Sequence, residues 1–183
     1  MRTYASDSGQ TDQTIEAVVQ TIDEGLERLP SYMDLYFKWE RQQWAVQELD
    51  FTQDRRQWLE ASETQRQLRM ALYNGFYAGE IAVTDTLGPY IAAMPRLDQR
   101  VFLTTQVADE ARHVVFFDKW FSEVLGRDRA VVGDHMAKAR ELMGSYYNYI
   151  FYDLLPGISD DLRKHPEDTG LLVEGVTLYH IVI

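Results

Sequence analysis

Apolar residues along this chain recur every three or four positions, and nowhere do they alternate strictly for long. Ile15, Val18, Val19, Ile22 and Leu26 mark a helix over residues 14–29, ended by Pro30. A shorter helical stretch over 31–49 carries Tyr36, Trp39 and Trp44, and Asp50 to Asp54 reads as a turn that caps the next helix. Two long helices are predicted after it. One covers residues 63–94, with Gly88-Pro89 expected to kink or break its last turns; the other covers 97–125, introduced by Pro95 and stopped by Gly126. A third long helix is predicted over 128–155, stopped by Pro156-Gly157. A loop over 158–168 containing Pro166 follows, then a final helical pattern from about Thr169 to Ile183. Residues 1–13 are polar and read as a flexible tail, leaving 14–183 as one helical domain. The fold class is all-α.

The informative residues are charges placed where a helix is otherwise apolar. Tyr73, Phe76, Tyr77, Val83, Thr84 and Leu87 lie three, four or seven positions from Glu80, so they share its stripe. A carboxylate there must be protonated, paired or bound to a metal, because burying it alone costs several kcal/mol or more. Glu110 and His113 repeat the pattern on the next helix, among Leu103, Val107, Val114 and Phe117. A Glu-x-x-His pair aims a carboxylate and an imidazole at one point, which is how dinuclear carboxylate proteins present ligands to iron or manganese. Asp109 and Arg112 adjoin the pair as candidates to orient it. The plain alternatives are a solvated face, or an ion pair of Glu80 with Arg112 or Lys119. His135, His165 and Glu40 are weaker candidates, read as surface, loop and ion-pair residues. Tyr146, Tyr147, Tyr149 and Tyr152 read chiefly as core or interface material.

Composition narrows the classes. The chain has 183 residues, 45% hydrophobic, enough for one packed domain and too short for two ordinary ones. A net charge of −11 with no local run of Lys and Arg argues against nucleic acid as a partner. The absence of cysteine removes disulfides, Cys-based zinc sites and thiol nucleophiles. No stretch approaches the roughly 20 apolar residues of a membrane helix, and the first fourteen residues do not read as a signal peptide. The default expectation is a soluble cytoplasmic protein.

Several blocks resemble the small-subunit superfamily of ribonucleotide reductase, a ferritin-like group, and most of all its branch of ligand-binding oxidases. They are Trp44 with Leu49-Asp50-Phe51-Thr52-Gln53-Asp54; Gly79-Glu80-Ile81-Ala82-Val83-Thr84; Leu103-Thr104-Thr105-Gln106 leading to Asp109-Glu110-Ala111-Arg112-His113; and Val176 to Ile183. The resemblance implies a ferritin-like bundle in which Glu80, Glu110 and His113 hold the first half of a dinuclear Mn/Fe or Fe/Fe centre. It puts Phe117 where the reductase subunits carry a radical tyrosine, which excludes a stable tyrosyl radical there. It pairs Val83 with Tyr179 in an ether cross-link. It further implies dioxygen activation, an apolar, fatty acid-like ligand and a homodimer. A complete centre in this superfamily needs two more glutamates and a second histidine, which no second Glu-x-x-His supplies here. Glu174 lies too early to stand in for the next glutamate, which would fall just past Ile183. The chain is therefore expected to be a shortened form of a longer protein, lacking the C-terminal helices. Rival readings are a radical-generating reductase subunit, a non-catalytic ferritin-like metal-binding protein, and an amine- or arene-oxidising oxygenase on the same scaffold.

Overall fold

The computed structural model describes residues 8–126 and 143–182, with side chains over 16–126 and 143–180. Residues 128–142 of the helix predicted over 128–155, His135 among them, and the first seven residues of the expected tail lie outside the described residues. Among the described residues there is no strand, as the hydrophobic period requires.

Helix α1 runs Ser8–Glu27, so residues 8–13 of the expected tail are helical. Their polarity argues against burial, not against a helix. The apolar stripe of α1 is open: Val18, Val19, Ile22 and Leu26 are 54, 50, 55 and 57% exposed. Helix α2, Tyr32–Glu40, starts at a capping box in which Ser31 and Asp34 satisfy each other's backbone N–H groups. It ends well before residue 49. The chain then passes through residues 41–45 and a short 3-10 turn, Val46–Glu48, into α3, Thr52–Glu60. The side chains of Gln43 and Trp44 contact α5 instead of extending α2; tertiary contacts override a weak helical preference here. Asp50 accepts hydrogen bonds from the backbone N–H and hydroxyl of Thr52, as the turn reading predicted.

Two long helices carry the site. Helix α4, Glu63–Ala93, begins at a second capping box, Ser62 with Gln65. It continues through Pro89 rather than breaking there. Pro89 lacks an N–H to return to the preceding turn, but Leu87 and Tyr90 on either side are 1% and 0% exposed, and their packing holds the last turns. Helix α5, Leu97–Leu125, ends at Gly126, whose φ of 67° lets its N–H reach back to the Phe121 carbonyl.

The second predicted breaker also fails. Ser145–Tyr149, a π turn Ile150–Leu154 and Leu155–Lys164 follow one another as a single helix, α6. Pro156 falls in the first turn after the π segment, where Leu155 already bonds five residues back to Ile150. Pro156 forgoes one backbone hydrogen bond there, and the buried Leu155 and Ile158 beside it hold the turn. Only residues 165–168 remain of the predicted loop 158–168. Helix α7 starts at Thr169, where Asp168 accepts from the Leu171 N–H at 3.1 Å, and passes from Thr169–Thr177 into a π turn, Leu178–Val182.

Two buried clusters stabilise the arrangement. One joins Ala82, Val83, Leu87 and Tyr90 of α4 to Phe151, Leu155 and Leu162 of α6 and to Leu172 and Tyr179 of α7. The other joins Phe51 and Tyr77 to Val114, Phe117, Trp120 and Phe121 of α5. Tyr146, Tyr147 and Tyr149 are 65, 57 and 53% exposed, so of the two expectations, core or interface, the core one fails for these three. At residue 80 the α4 stripe passes from one cluster to the other, and that is where its carboxylate sits.

Candidate metal centre

Glu80 on α4 faces Glu110 and His113 on α5. His113 Nδ1 lies 3.2 Å from Glu80 Oε2 and 3.3 Å from Glu110 Oε2. One ligand atom from each of the three residues falls within 4.8 Å of the others, the only such group of three among the described residues. The charges are partly withdrawn from water: the side chains of Glu80 and Glu110 are 19% and 16% exposed, that of His113 40%. Phe76, assigned to the same stripe, is itself 52% exposed. The alternative partners of Glu80 are engaged elsewhere. Arg112 binds Asp109, and Lys119 binds Glu123 and the Leu49 carbonyl.

The electrostatics follow from two carboxylates and one imidazole sharing a half-buried space. Burial, reinforced by the Glu110 carboxylate, pushes Glu80 up to about 7 against the pull of His113. Burial also acts to raise Glu110, but hydrogen bonds from His113 and Glu80 outweigh it and leave Glu110 below its ordinary value. The hydrogen bonds to Glu110 and Glu80 hold the His113 imidazolium up to about 10. In effect the three side chains share protons where a cation would relieve the same repulsion. Oxygen and imidazole donors without thiolates suit iron and manganese, so these residues fit one side of a carboxylate-rich centre. A dinuclear site needs more donors than these three supply.

Asp109 and Arg112 do not bond to any of the three. Asp109 accepts from the Trp39 indole N–H at 2.8 Å and from Arg112 at 2.7 Å, and Arg112 also donates to the Gln43 side chain. Their route to the site is indirect. The Arg112 guanidinium lies 5.3 Å from the centre of the Trp44 ring, and Trp44 stacks on His113. The sequence marks Trp39 only as one of the apolar residues of a helical stretch and gives no signal for Gln43, which acts from an irregular segment.

Behind the site, Tyr179 and Val83 are each 7% exposed. The Tyr179 hydroxyl is 3.4 Å from the Val83 carbonyl oxygen and in hydrogen-bond contact with the Thr86 hydroxyl. Burial raises its pKa. Phe117 is 8% exposed and packs against Tyr73, Phe76 and Tyr77. His165 lies in the turn after α6, as predicted, and Glu174 is exposed on α7 and is not grouped with the three ligand candidates.

No protein-family model matches the chain. Its fold is that of solved R2-like ligand-binding oxidases. The enzyme from Sulfolobus acidocaldarius is 26% identical at a TM-score of 0.70, over 81% of this chain and 53% of that one. A second, an R2-like ligand-binding oxidase with aerobically reconstituted Mn/Fe cofactor, is 29% identical at 0.70, over 82% and 51%. A valine-to-leucine variant with anaerobically reconstituted Mn/Fe cofactor is 27% identical at 0.69, over 85% and 55%. The chain thus spans about half the length of the structures it matches. The ferritin-like, ribonucleotide-reductase-like resemblance of the motifs is also a resemblance of fold. Among the described residues no helix is long and apolar enough to cross a membrane.

Proposed function

We propose that this chain supplies Glu80, Glu110 and His113 to a dinuclear Mn/Fe or Fe/Fe centre of a dioxygen-activating oxidoreductase. The observation that carries the reading is the convergence of two half-buried carboxylates on one imidazole nitrogen, at 3.2 and 3.3 Å. The matched structures support it, because they are oxidases with a Mn/Fe cofactor. Glu80 and Glu110 would hold metal through carboxylate oxygens and His113 through Nδ1. When bound, such a centre reduces dioxygen and supplies a strong oxidant. The chain's own residues shape what that oxidant meets. Phe117, 8% exposed, keeps water from one flank and itself offers no phenol to oxidise. The substrate in this reading is apolar, of the fatty acid-like kind, and the working form is a homodimer.

Tyr179 and Val83 extend the proposal. Joining the Tyr179 oxygen to the Val83 side chain as an ether breaks one C–H and the phenolic O–H bond. The two protons and two electrons removed go to dioxygen. The buried position of the phenol beside Val83 supports this pairing.

Metal analysis of protein produced with both iron and manganese tests the core of the reading. Bound Fe or Mn is expected, with loss in Glu80→Ala and Glu110→Ala. Equal metal content in wild type and both variants, or none in any, overturns it. Peptide mass spectrometry after aerobic loading tests the ether through a joined Val83–Tyr179 peptide lighter by two hydrogens.

A further inference from the structure

We propose that Trp44, clasped by Arg112, is a positioning residue that fixes the His113 imidazole toward the two carboxylates. The inference rests on reading Glu80, Glu110 and His113 as metal ligands.

His113 is the open member of the three, at 40% side-chain exposure against 19% and 16% for Glu80 and Glu110. An imidazole on an open flank has rotamers to lose when an ion binds, unless something orders it first. Trp44 lies on that flank, its ring inclined only 22° to the imidazole at a centroid distance of 6.3 Å. Yet Trp44 belongs to residues 41–45, which have no helix to hold them. Its place must be set by side-chain contacts.

Arg112 supplies them. Its guanidinium lies over the Trp44 ring at 5.3 Å. One of its nitrogens donates to Asp109 at 2.7 Å and another to the Gln43 side-chain oxygen. The Gln43 amide nitrogen donates in turn to the Trp39 carbonyl at 3.0 Å, and the Trp39 indole donates to the second oxygen of Asp109 at 2.8 Å. The circuit closes from α5 through the irregular segment to the end of α2 and back to α5, and Trp44 lies against its arginine. Arg112 immediately precedes His113, so one step of α5 presents both the ligand and the clasp. A lysine cannot reproduce this, because the role uses a planar fork and a flat face together.

Two readouts on the full chain test the proposal. In metal-free protein, a stacked indole shifts the carbon-bound ring-proton NMR signals of His113 upfield. The shift is expected to vanish in Trp44→Leu, to shrink in Arg112→Gln and Arg112→Lys, and to survive in part in Trp44→Phe. In Mn(II) titrations, Trp44→Leu and Arg112→Gln are expected to weaken binding about 10- to 100-fold, the range for residues that orient a ligand, with Trp44→Phe closer to wild type. Identical His113 signals in wild type and Trp44→Leu overturn the proposal. So does a lost shift with unchanged affinity. If wild type binds neither Mn(II) nor Fe(II), the proposed function falls, and the NMR shift alone decides whether Trp44 positions His113.

Discussion

At the scale of single residues, the proton inventory of the site makes a prediction with a definite sign. A metal ion takes the imidazole in its neutral form, whereas the carboxylates hold His113 protonated up to about 10 and burial keeps part of Glu80 protonated near 7. Binding at neutral pH therefore releases protons, and affinity rises as pH rises from 6 to 8. Calorimetry in buffers of different ionisation enthalpy measures the release; about one proton or more per ion is expected, and zero release removes His113 from the ligand set. A second residue-scale prediction concerns Gly175. A Cβ there would sit 2.0 Å from Tyr90 Cε1 and 2.6 Å from its Cζ and hydroxyl. Tyr90 is 0% exposed and cannot move aside cheaply. Gly175→Ala is expected to destabilise by about 1–3 kcal/mol or more through overpacking, read as a lower thermal midpoint. Gly79→Ala meets only Phe151 at 3.1 Å and should cost less.

At the scale of elements, hydrophobic period made α4 and α5 legible, because each is long and keeps one face apolar. The same period exposed Glu80, Glu110 and His113 as charges out of place. Pro156 misled: it read as a stop, yet it lies inside a continuing helix, since burial of its neighbours outweighs one lost hydrogen bond. Pro89 lies inside α4, whose end at Ala93 is one residue short of the predicted bound. The π turns at Ile150–Leu154 and Leu178–Val182 leave no mark in composition that a helical period could detect. One consequence is testable where α6 meets α4. Ser159 is 2% exposed and donates to the Thr86 carbonyl at 2.9 Å, close to the turn that Pro89 weakens. Ser159→Ala removes that donor and is expected to cost about 1 kcal/mol, measured by denaturant unfolding. Hydrogen exchange should quicken first at the C-terminal turns of α4. Uniform protection along α4 in the variant would show that the bond does not hold those turns.

At the scale of the whole molecule, apolar surface and net charge lead to separate measurements. Leu68, Leu72 and Phe76 recur at four-residue spacing on α4 and are 72, 53 and 52% exposed. A homodimer is the state in which such a stripe is expected to be covered, so sedimentation should give twice the chain mass, and Leu72→Glu should shift it toward one. A dimer unaffected by Leu72→Glu places its interface elsewhere. The charge of −11 acts over longer range. A divalent cation approaching the chain is drawn by the summed negative potential before it meets the three proposed ligands. That attraction extends over a Debye length of about 30 Å at 0.01 M salt and only about 8 Å at 0.15 M. Stopped-flow uptake of Mn(II) should therefore slow several-fold between these ionic strengths. The dissociation rate, set in the proposed site by Glu80, Glu110 and His113 at contact distance, should change far less. An uptake rate indifferent to salt would mean that only the local carboxylates attract the ion and the rest of the acidic surface plays no part in loading.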